Sequence, residues 1–377
     1  MAVEQNKKIA IVCDWLTSIG GAERVLLAIH ELYPEAPIFT SQYDPSQVDW
    51  FKGKDIRTTW LQKLPKNTTI RKLMPVLRRQ AFEGLDLSEY DVVISSSGAE
   101  AKAVKKLKPG AIHITYCHSP THYYWARYDE YLKQPGFGML NPVAKAGLKV
   151  LGGPMRKWDY EVAQKPDFLI ANSTHIQRMI KHYYNRESVV IHPPVDIERF
   201  TGLSGTQDRS GLIIAGRQVP YKRFDLAILA ANKLQLPLTV IGDGPENKKL
   251  RALAGPTVTF KHPVSDAQME QEFASAKLFL FPGVEDFGIT PVEAMAAGTP
   301  IVAYGDGGAL DYVTPKTGVL FKTQTVDSLC RAITIAQKKK WDHQEIVVYS
   351  TKFSKDIFQK KFRQYVHSKL IDQVNKK

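Results

Sequence analysis

The chain has 377 residues, 44% of them hydrophobic and 10% aromatic, which is enough for two or three domains with cores of their own. It carries 51 Lys and Arg against 38 Asp and Glu, and this formal net charge of +13 suggests anionic partners such as nucleic acid, a membrane surface or an anionic substrate. Its three widely spaced cysteines, Cys13, Cys117 and Cys330, argue against a disulfide framework or a zinc site and fit a reducing cytoplasm.

Strand-like and helix-like segments alternate from the N-terminus onwards. The first apolar run, KIAIVCD, is too short for a secretory signal or a membrane span, so it is predicted to be a β-strand. Helical periodicity follows in GGAERVLLAIHELY. The next predicted segments are the strands YDVVISS, AIHITYCH and DFLIANS and the helices GAEAKAVKKL and THIQRMIKHYY. After residue 195 the alternation restarts, with strands predicted in GLIIAGR, PLTVIGDG, TVTFKHPV, LFLFPG, PIVAYG and GVLF.

Continuous apolar strands followed by helices indicate parallel sheets that are covered on both faces. Two such series, joined by the extended segment HPPVDIERF, predict an α/β protein with two doubly wound, Rossmann-like domains. The predicted domains are residues 1–195 and 196–353, followed by an amphipathic helix at 354–377. The default ligand site of such a protein is the cleft between its domains.

One local concentration of positive charge lies between Leu61 and Phe82. This stretch, LQKLPKNTTIRKLMPVLRRQAF, contains six basic residues, no acidic one, and interleaved apolar side chains. Such a pattern suits an anionic membrane surface. A solvated helix face is the competing interpretation.

Gly20 and Gly21 lie where the first strand gives way to a helix, so backbone amides and the helix dipole could meet a phosphate there. A tight turn without a ligand explains them almost as well. The sequence is not GxGxxG, and no acidic residue follows at the position for a ribose, so no dinucleotide cofactor is predicted.

Arg217 and Lys222 lie in one predicted strand-to-helix loop of the second half, where two cations can neutralise a diphosphate leaving group. Two solvated surface cations are the alternative. The stretch EDFGITPVE places Glu285 at the end of a predicted strand and Glu293 in the first turn of a predicted helix. We expect the intervening residues Phe287, Gly288 and Ile289 to form a loop with exposed amides.

With Glu285 at the end of a strand and Glu293 in the following helix, the two carboxylates are expected at different points and not side by side. They are predicted to accept hydrogen bonds from a polyol at two points of an elongated ligand. No His or DxD motif accompanies them, so no metal is predicted.

The Glu285-x7-Glu293 pair, GRQVPYK, IGDGP and GTPIVAYGDGGALDYV together resemble the retaining glycosyltransferases of family 4, which have the GT-B fold. The resemblance covers essentially the whole chain. YCHSPTHYYWARYDEY and DLSEYDVVISSSGAEAKAV resemble bacterial mannosyltransferase-type members that build O-antigens and exopolysaccharides.

The resemblance implies a role for each matching residue. Arg217 and Lys222 would hold the donor diphosphate, Glu293 the ribose, and Glu285 the transferred sugar. The amides of Phe287, Gly288 and Ile289 would lie beside that sugar, and Val264 and Asp266 would line the base pocket. In the first domain, which handles the acceptor, Gly20 and Gly21 would meet the phosphates and His118 would lie at the reaction centre. His113 and His192 are interpreted as structural.

The predicted reaction is therefore a metal-independent transfer of a hexose, with GDP-mannose or a UDP-sugar as donor and a lipid-linked saccharide as acceptor, on the cytoplasmic face of the membrane. The terminal helix is predicted to pack back on the N-terminal domain. A sugar-nucleotide epimerase or hydrolase of the same fold is the nearest alternative. A nucleic-acid-binding protein is the other, but no RRM, KH, zinc-finger or OB signature is present, so no nucleic-acid partner is predicted.

Overall fold

The computed structural model describes residues 7–65, 75–133, 135, 138–201 and 208–374. The chain divides into two compact units. Unit 1 comprises Met1–Asn172, Ile176–His192 and Gln359–Lys377, and unit 2 comprises Ser173–His175 and Pro193–Phe358.

Unit 1 is built on a parallel sheet in which seven strands are described, in the order β3-β2-β1-β5-β7-β8-β9. A short parallel pair, β4 and β6, lies outside it. The strands are β1 (Ile9–Cys13), β2 (Ile38–Thr40), β3 (Ile56–Thr58), β4 (Asp86–Leu87), β5 (Val92–Ser97), β6 (Lys106–Leu107), β7 (Ile112–Cys117), β8 (Phe168–Ala171) and β9 (Val189–Val190). The described helices are α1 (Gly21–Leu32), α2 (Pro75–Glu83), α3 (Tyr128–Lys133), α4 (Asn141–Ala163) and α5 (Thr174–Tyr184).

Unit 2 contains a second parallel sheet, with six described strands in the order β12-β11-β10-β13-β14-β15. These strands are β10 (Ser210–Ala215), β11 (Leu238–Ile241), β12 (Val258–Lys261), β13 (Ala276–Phe281), β14 (Ile301–Tyr304) and β15 (Gly318–Phe321). The helices are α6 (Glu198–Thr201), α7 (Phe224–Leu234), α8 (Asn247–Leu253), α9 (Asp266–Ser275), α10 (Ile289–Ala296), α11 (Val326–Lys338) and α12 (His343–Ser350). The predicted α/β architecture with two doubly wound parallel sheets is confirmed.

The central strands of unit 2 are mainly apolar because both of their faces are covered. Ile213 and Phe279 point into one hydrophobic cluster, whereas their neighbours Leu212 and Leu278 point into the cluster on the opposite face. All four side chains are at most 3% exposed. Successive residues of a strand face opposite sides, so a sheet between two layers of helices needs an apolar residue at every position.

A last helix, α13 (Lys355–Val374), begins in unit 2 and ends in unit 1. From Gln359 onwards its partners belong to unit 1, where the Gln359 side-chain amide donates to the carbonyl of Ala28, 3.0 Å away, and to Glu31. Its apolar side chains Phe362, Val366 and Leu370 are buried.

The predicted helix in GAEAKAVKKL is wrong. The structure has a 3₁₀ turn at Ala101–Ala103 and then the short strand β6. The sequence pattern suggested a helix with a charged, solvated face. Two of those charged residues, Glu100 and Lys102, are instead buried. Each is fixed by an ion pair, Glu100 to Arg78 at 2.8 Å and Lys102 to Asp159 at 2.8 Å.

Only part of the basic stretch 61–82 is described, because residues 66–74, which include Arg71 and Lys72, lie outside the described residues. The part that is described corrects one expectation. Arg78 does not face a membrane or solvent, since its guanidinium is buried against Glu100 and the hydroxyl of Tyr123. Arg79, one residue later, keeps 38% of its side chain exposed.

Candidate active site

In unit 2 the structure brings together a lysine and a glutamate that are 63 residues apart. Strands β10 and β13 are neighbours, so the loops that follow them meet at the carboxyl edge of the sheet. Lys222 Nζ lies 2.9 Å from Glu285 Oε1, with side chains 15% and 19% exposed. Gly283 permits this approach, because a Cβ there would lie 2.6 Å from Lys222 Cα and 2.5 Å from the carbonyl of Tyr221.

Arg217 lies on the same loop as Lys222, and its side chain is exposed. The next residue, Gln218, is buried and anchors the loop by donating to the carbonyl of Gly242 at 2.7 Å. Its side-chain oxygen accepts from Asn247 at the start of α8. The loop therefore has a fixed base and presents its two cations at the sheet edge.

The stretch between the two glutamates forms the start of helix α10. Gly288 has a φ of 90° and precedes the helix, and a Cβ there would lie 2.7 Å from the hydroxyl of Tyr312. The side chain of Phe287 is buried against Tyr312, with ring centroids 5.5 Å apart, so only its backbone can serve a ligand.

The helix begins one residue earlier than the sequence indicates. Ile289 is its first residue and not part of a loop, and Glu293 lies in its second turn and not in its first. The first amides of a helix have no partner within it and carry the positive end of its dipole. The first amides of α10 can therefore bind an anion, and they follow Glu285 closely in sequence.

Glu293 is almost buried, and it belongs to a group of charges that the sequence did not reveal. Arg199 on α6 contacts Glu270 at 3.0 Å and Asp266 at 3.3 Å. Partial burial works against its charge, but the hydrogen bond to Glu270 and the charges of Asp266 and Glu293 raise the pKa of Arg199. Arg199 was overlooked because it stands in the linker segment HPPVDIERF, which was interpreted as an interdomain connection.

The two residues predicted at a base pocket have different environments. Asp266 is the first residue of α9, and 86% of its side chain is exposed. Val264 is half-buried and packs against the larger hydrophobic cluster of unit 2. They lie next to the N-terminal cap of α9. There the Ser265 hydroxyl oxygen accepts from the backbone amide of Gln268, and the Gln268 side-chain oxygen accepts from the backbone amide of Ser265.

Unit 1 contains a cavity of about 270 Å³ at the carboxyl ends of its central strands. His118, the first residue after β7, lines it. The ring Nε2 of His118 lies 2.8 Å from Ser96 Oγ, and its carbonyl accepts from the side chain of Asn172 at 2.9 Å. Ser96 and Asn172 therefore fix the histidine in place.

The same cavity is lined by Asp14, which sequence reasoning missed. Its carboxylate is almost buried and accepts hydrogen bonds from the amides of Gly98 at 2.8 Å, Ala99 at 3.1 Å and Ala101 at 2.7 Å. These bonds hold the turn after β5 against the end of β1. The signal was present, since Asp14 directly follows the first strand, where parallel sheets place functional side chains.

Gly20 and Gly21 lie at the start of α1, as predicted, but the residues of that helix that line the cavity are Ala22, Glu23 and Leu26. Gly20 has an extended backbone, with a φ of −162°, which any residue can adopt. The glycines therefore adjoin the cavity without forming its wall.

His113 lies in the interior of β7, away from the cavity lining. Burial lowers its pKa to about 3, so the ring is neutral at physiological pH. Its Nε2 lies 2.9 Å from Ser95 Oγ, inside the sheet. Among the described residues no group of three or more His, Cys, Asp or Glu side chains is arranged to hold a metal ion.

Two family models match the chain. Residues 19–199 match the model described as "Glycosyltransferase Family 4", and residues 203–353 match "Glycosyl transferases group 1". The first model covers most of unit 1 and the second most of unit 2, so the two matches follow the division of the structure.

Two curated relatives are named for GDP-mannose. A GDP-mannose-dependent alpha-mannosyltransferase of Mycolicibacterium smegmatis is 36% identical over 132 residues, which is 33% of this chain and 35% of that protein. A GDP-mannose-dependent monoacylated alpha-(1-6)-phosphatidylinositol monomannoside mannosyltransferase of Corynebacterium glutamicum is 30% identical over 199 residues, which is 45% of this chain and 52% of that protein. The chain thus spans about a third to a half of the length of these relatives.

A solved structure shares the fold over nearly the whole chain. It is Anabaena HepE in complex with UDP and glucose, which matches with a TM-score of 0.66 and 18% identity, covering 96% of this chain and all of that one. The matching fold and the two family models, which together account for most of the sequence, lead to one conclusion. The chain belongs to the glycosyltransferases of family 4, and its two parallel-sheet units are those of the GT-B fold.

Proposed function

We propose that the protein transfers mannose from GDP-mannose, with retention of anomeric configuration, to a hydroxyl of a lipid-linked saccharide. The observation that carries this proposal is the pair of Lys222 and Glu285 at the sheet edge of unit 2. A sugar nucleotide presents anionic phosphate oxygens and neutral hydroxyls a few ångströms apart, and this pair offers a cation and an acceptor at the same separation.

The choice of donor is supported by the names of two relatives, both of which are GDP-mannose-dependent mannosyltransferases. The related fold solved with UDP and glucose makes a UDP-sugar the alternative donor. The acceptor is inferred from the polysaccharide-building members that the sequence resembles. The name of the Corynebacterium enzyme, which acts on a phosphatidylinositol mannoside, also supports a glycolipid acceptor.

In the proposed reaction, Lys222 and Arg217 balance the charge that grows on the diphosphate as the bond between the sugar and its phosphate oxygen breaks. The first amides of α10 add a positive potential beside that charge. The acceptor hydroxyl attacks the same face of the sugar and forms the new glycosidic bond. Its proton passes to the departing phosphate oxygen, so the reaction needs no protein nucleophile.

In this scheme Glu285 and Glu293 position the donor, and the cavity of unit 1 positions the acceptor. Glu285 would hold hydroxyls of the transferred sugar, and Glu293 would accept from the ribose. We propose that the acceptor saccharide occupies the cavity beside His118, where the rings of Trp15 and Tyr123 offer flat apolar surfaces for a sugar. His118 would orient the reacting hydroxyl.

The proposed location is the cytoplasmic face of the membrane, with the basic stretch 61–82 as one attachment surface. None of the described helices is both long enough and apolar enough to cross a bilayer. Because Arg78 is buried, the described cations of this stretch that remain for lipid headgroups are Lys63 and Arg79. Lys66, Arg71 and Lys72 lie outside the described residues.

The proposal is tested by incubating the purified protein with a panel of sugar nucleotides, with and without lipid-diphosphate-linked saccharides, and analysing the products by mass spectrometry. Transfer of one hexose from GDP-mannose that requires the acceptor is expected. Release of free mannose or an isomerised nucleotide sugar without acceptor would instead indicate a hydrolase or an epimerase.

Arg217→Ala and Lys222→Ala are each expected to weaken binding of GDP, measured by calorimetry, by about 10- to 100-fold, the range for one charge-assisted hydrogen bond. Lys222→Ala should have the larger effect, because it also leaves Glu285 facing the diphosphate without its partner. Since both cations act on one anion, the double variant should lose less than the sum of the two free-energy changes.

The matched control is Lys233→Ala, which removes an exposed lysine of unit 2 that pairs with Asp327. It should leave GDP binding unchanged. Strictly additive losses for Arg217 and Lys222 would contradict a shared diphosphate site.

Transfer activity is expected to persist in excess EDTA, since Lys222 and Arg217 would supply the positive charge that a divalent cation supplies elsewhere. The measurement is the initial rate before and after chelation, followed by addition of magnesium or manganese. Loss of activity that either ion restores would refute the metal-independent assignment.

A further inference from the structure

The outer face of helix α4 is apolar, although the helix lies on the surface of unit 1. Val143, Val150 and Leu151 are 67%, 73% and 44% exposed. The inner face is apolar as well, because Met155 and Trp158 are buried in the core of the unit. The outward side chains are therefore not needed to hold the helix on the sheet.

Three exposed apolar residues, Val143, Val150 and Pro154, lie in a strip along one side of the helix. The half-buried Gly147 lies between the first two, and the successive spacings of four, three and four residues place all four on that side. Thirteen large hydrophobic side chains are exposed in the described part of the chain, and five of them fall between Leu140 and Tyr160. Exposed apolar residues are normally scattered singly, and clusters mark interaction sites.

Positive charge surrounds this strip, and negative charge is absent from the same part of the helix. From Asn141 to Trp158 the sequence contains Lys145, Lys149, Arg156 and Lys157 and no acidic residue. Lys149 and Lys157 are exposed. A second copy of the chain seated on the same face would place these cations against each other, whereas anionic lipid headgroups would complement them.

Helix α4 also adjoins the basic stretch at 61–82. Arg79 of α2 lies over the ring of Trp158 at 5.1 Å, and the indole of Trp158 donates to Glu83 of α2 at 2.7 Å. The strip on α4 and the end of the basic stretch thus belong to neighbouring elements of one unit.

We propose that the outer face of α4 lies in the headgroup region of an anionic bilayer, with Val143, Val150 and Leu151 inserted at the acyl boundary and Lys149 and Lys157 at the lipid phosphates. This is the arrangement of an interfacial helix that lies on a membrane and does not cross it. The inference rests on the proposed function in one respect, namely that a lipid-linked acceptor has to be reached at the bilayer.

The test compares sedimentation of the full-length protein with phosphatidylcholine vesicles that contain or lack phosphatidylglycerol. The wild type is expected to bind the anionic vesicles, and the triple variant Val143→Ser, Val150→Ser, Leu151→Ser to bind them about tenfold or more weakly. A matched variant, Ile335→Ser with Val348→Ser, alters equally exposed residues of unit 2 and should bind like the wild type.

A second variant, Lys149→Gln with Lys157→Gln, changes exposed charges only, so it tests the surface independently of any effect of the triple variant on folding. It should reduce binding to anionic vesicles at low salt and leave the thermal midpoint unchanged. Equal binding by wild type and either variant would overturn the proposal. So would a wild type that binds neither vesicle, or a triple variant whose only change is a shift from dimer to monomer.

Transfer to a soluble acceptor analogue separates this inference from the proposed function. The triple variant should keep wild-type rates with such an analogue and lose rate only with acceptor embedded in vesicles. If the wild type transfers no sugar to any acceptor but binds vesicles through α4, the proposed reaction fails and the membrane surface stands.

Discussion

Replacing Glu285 by glutamine is expected to lower kcat by about 10- to 1000-fold, the range for loss of one electrostatic or positioning contact in a transition state. The reason is geometric. Glu285 is held at the sheet edge by Lys222 at 2.9 Å, in a site where only about a fifth of its side chain is exposed. An amide keeps the size but loses the charge that strengthens hydrogen bonds to the sugar as its bond breaks.

Donor affinity should change far less than turnover, because Lys222 and Arg217 remain to hold the diphosphate. The measurement is kcat together with GDP binding in the purified variant. Glu345→Gln serves as the control, since that carboxylate pairs with Lys316 on the surface of unit 2 and is distant in sequence from the site. A wild-type kcat in Glu285→Gln would reject the role assigned to this residue.

Asp159→Asn is expected to lower the free energy of unfolding by about 3–5 kcal/mol, the usual result of breaking a buried ion pair from one side. Asp159 is fully buried and contacts Lys102 at 2.8 Å. Its oxygens also accept from Thr121, Trp125 and Tyr184 at 2.7 to 2.9 Å. The variant leaves the Lys102 ammonium in the core without its counter-charge.

The effect should depend on pH. Burial alone would lower the pKa of Lys102, but the Asp159 carboxylate raises it above its ordinary value. Without that carboxylate the pKa of Lys102 in the folded state falls below its unfolded value, so the unfolded state binds more protons and stability rises with pH. Denaturant titrations of the variant are expected to show part of the loss recovered as pH approaches the ordinary pKa of lysine.

The double variant Lys102→Met with Asp159→Asn is the control, because it removes both charges and keeps an acceptor oxygen for the donors around residue 159. It should be more stable than Asp159→Asn, since no uncompensated charge remains in the core. A double variant less stable than Asp159→Asn would contradict the unpaired Lys102 charge as the cause of the loss.

The strands could be predicted because their burial on both faces leaves apolar runs, as in IAIVC of β1, VVI of β5 and LFLF of β13. Helix α4, the longest described in unit 1, was missed for the opposite reason. Its outward face carries the exposed Val143, Val150 and Leu151 beside its lysines, and it contains Gly152, Gly153 and Pro154, so the amphipathic period is obscured. Sequence patterns reveal a helix when one side meets water, and this helix has valines on that side.

Some residues of the candidate site could be predicted from the sequence around them, and others could not. His118 directly follows strand β7, and Lys222 and Glu285 lie in the loops after β10 and β13, so local signals pointed to them. Asp14 and Arg199 act through partners that are distant in sequence, Asp14 through amides 84 to 87 residues away and Arg199 through Glu270, 71 residues away. Asp14 has a local signal in its position directly after β1, but only the folded chain brings either residue to its partners.

Helix α13 has a consequence for the order in which the protein is made. Its residues from Gln359 onwards are counted with unit 1, and they bury Phe362, Val366 and Leu370. Most of unit 1 is therefore synthesised before unit 2, whereas the helical segment that completes unit 1 is synthesised after unit 2. A fragment that ends in the linker would expose the apolar surface that α13 covers and should be prone to aggregation during synthesis. Dissection into separately expressed halves would require residues 359–377 to be supplied to unit 1, as a fused segment or as a peptide.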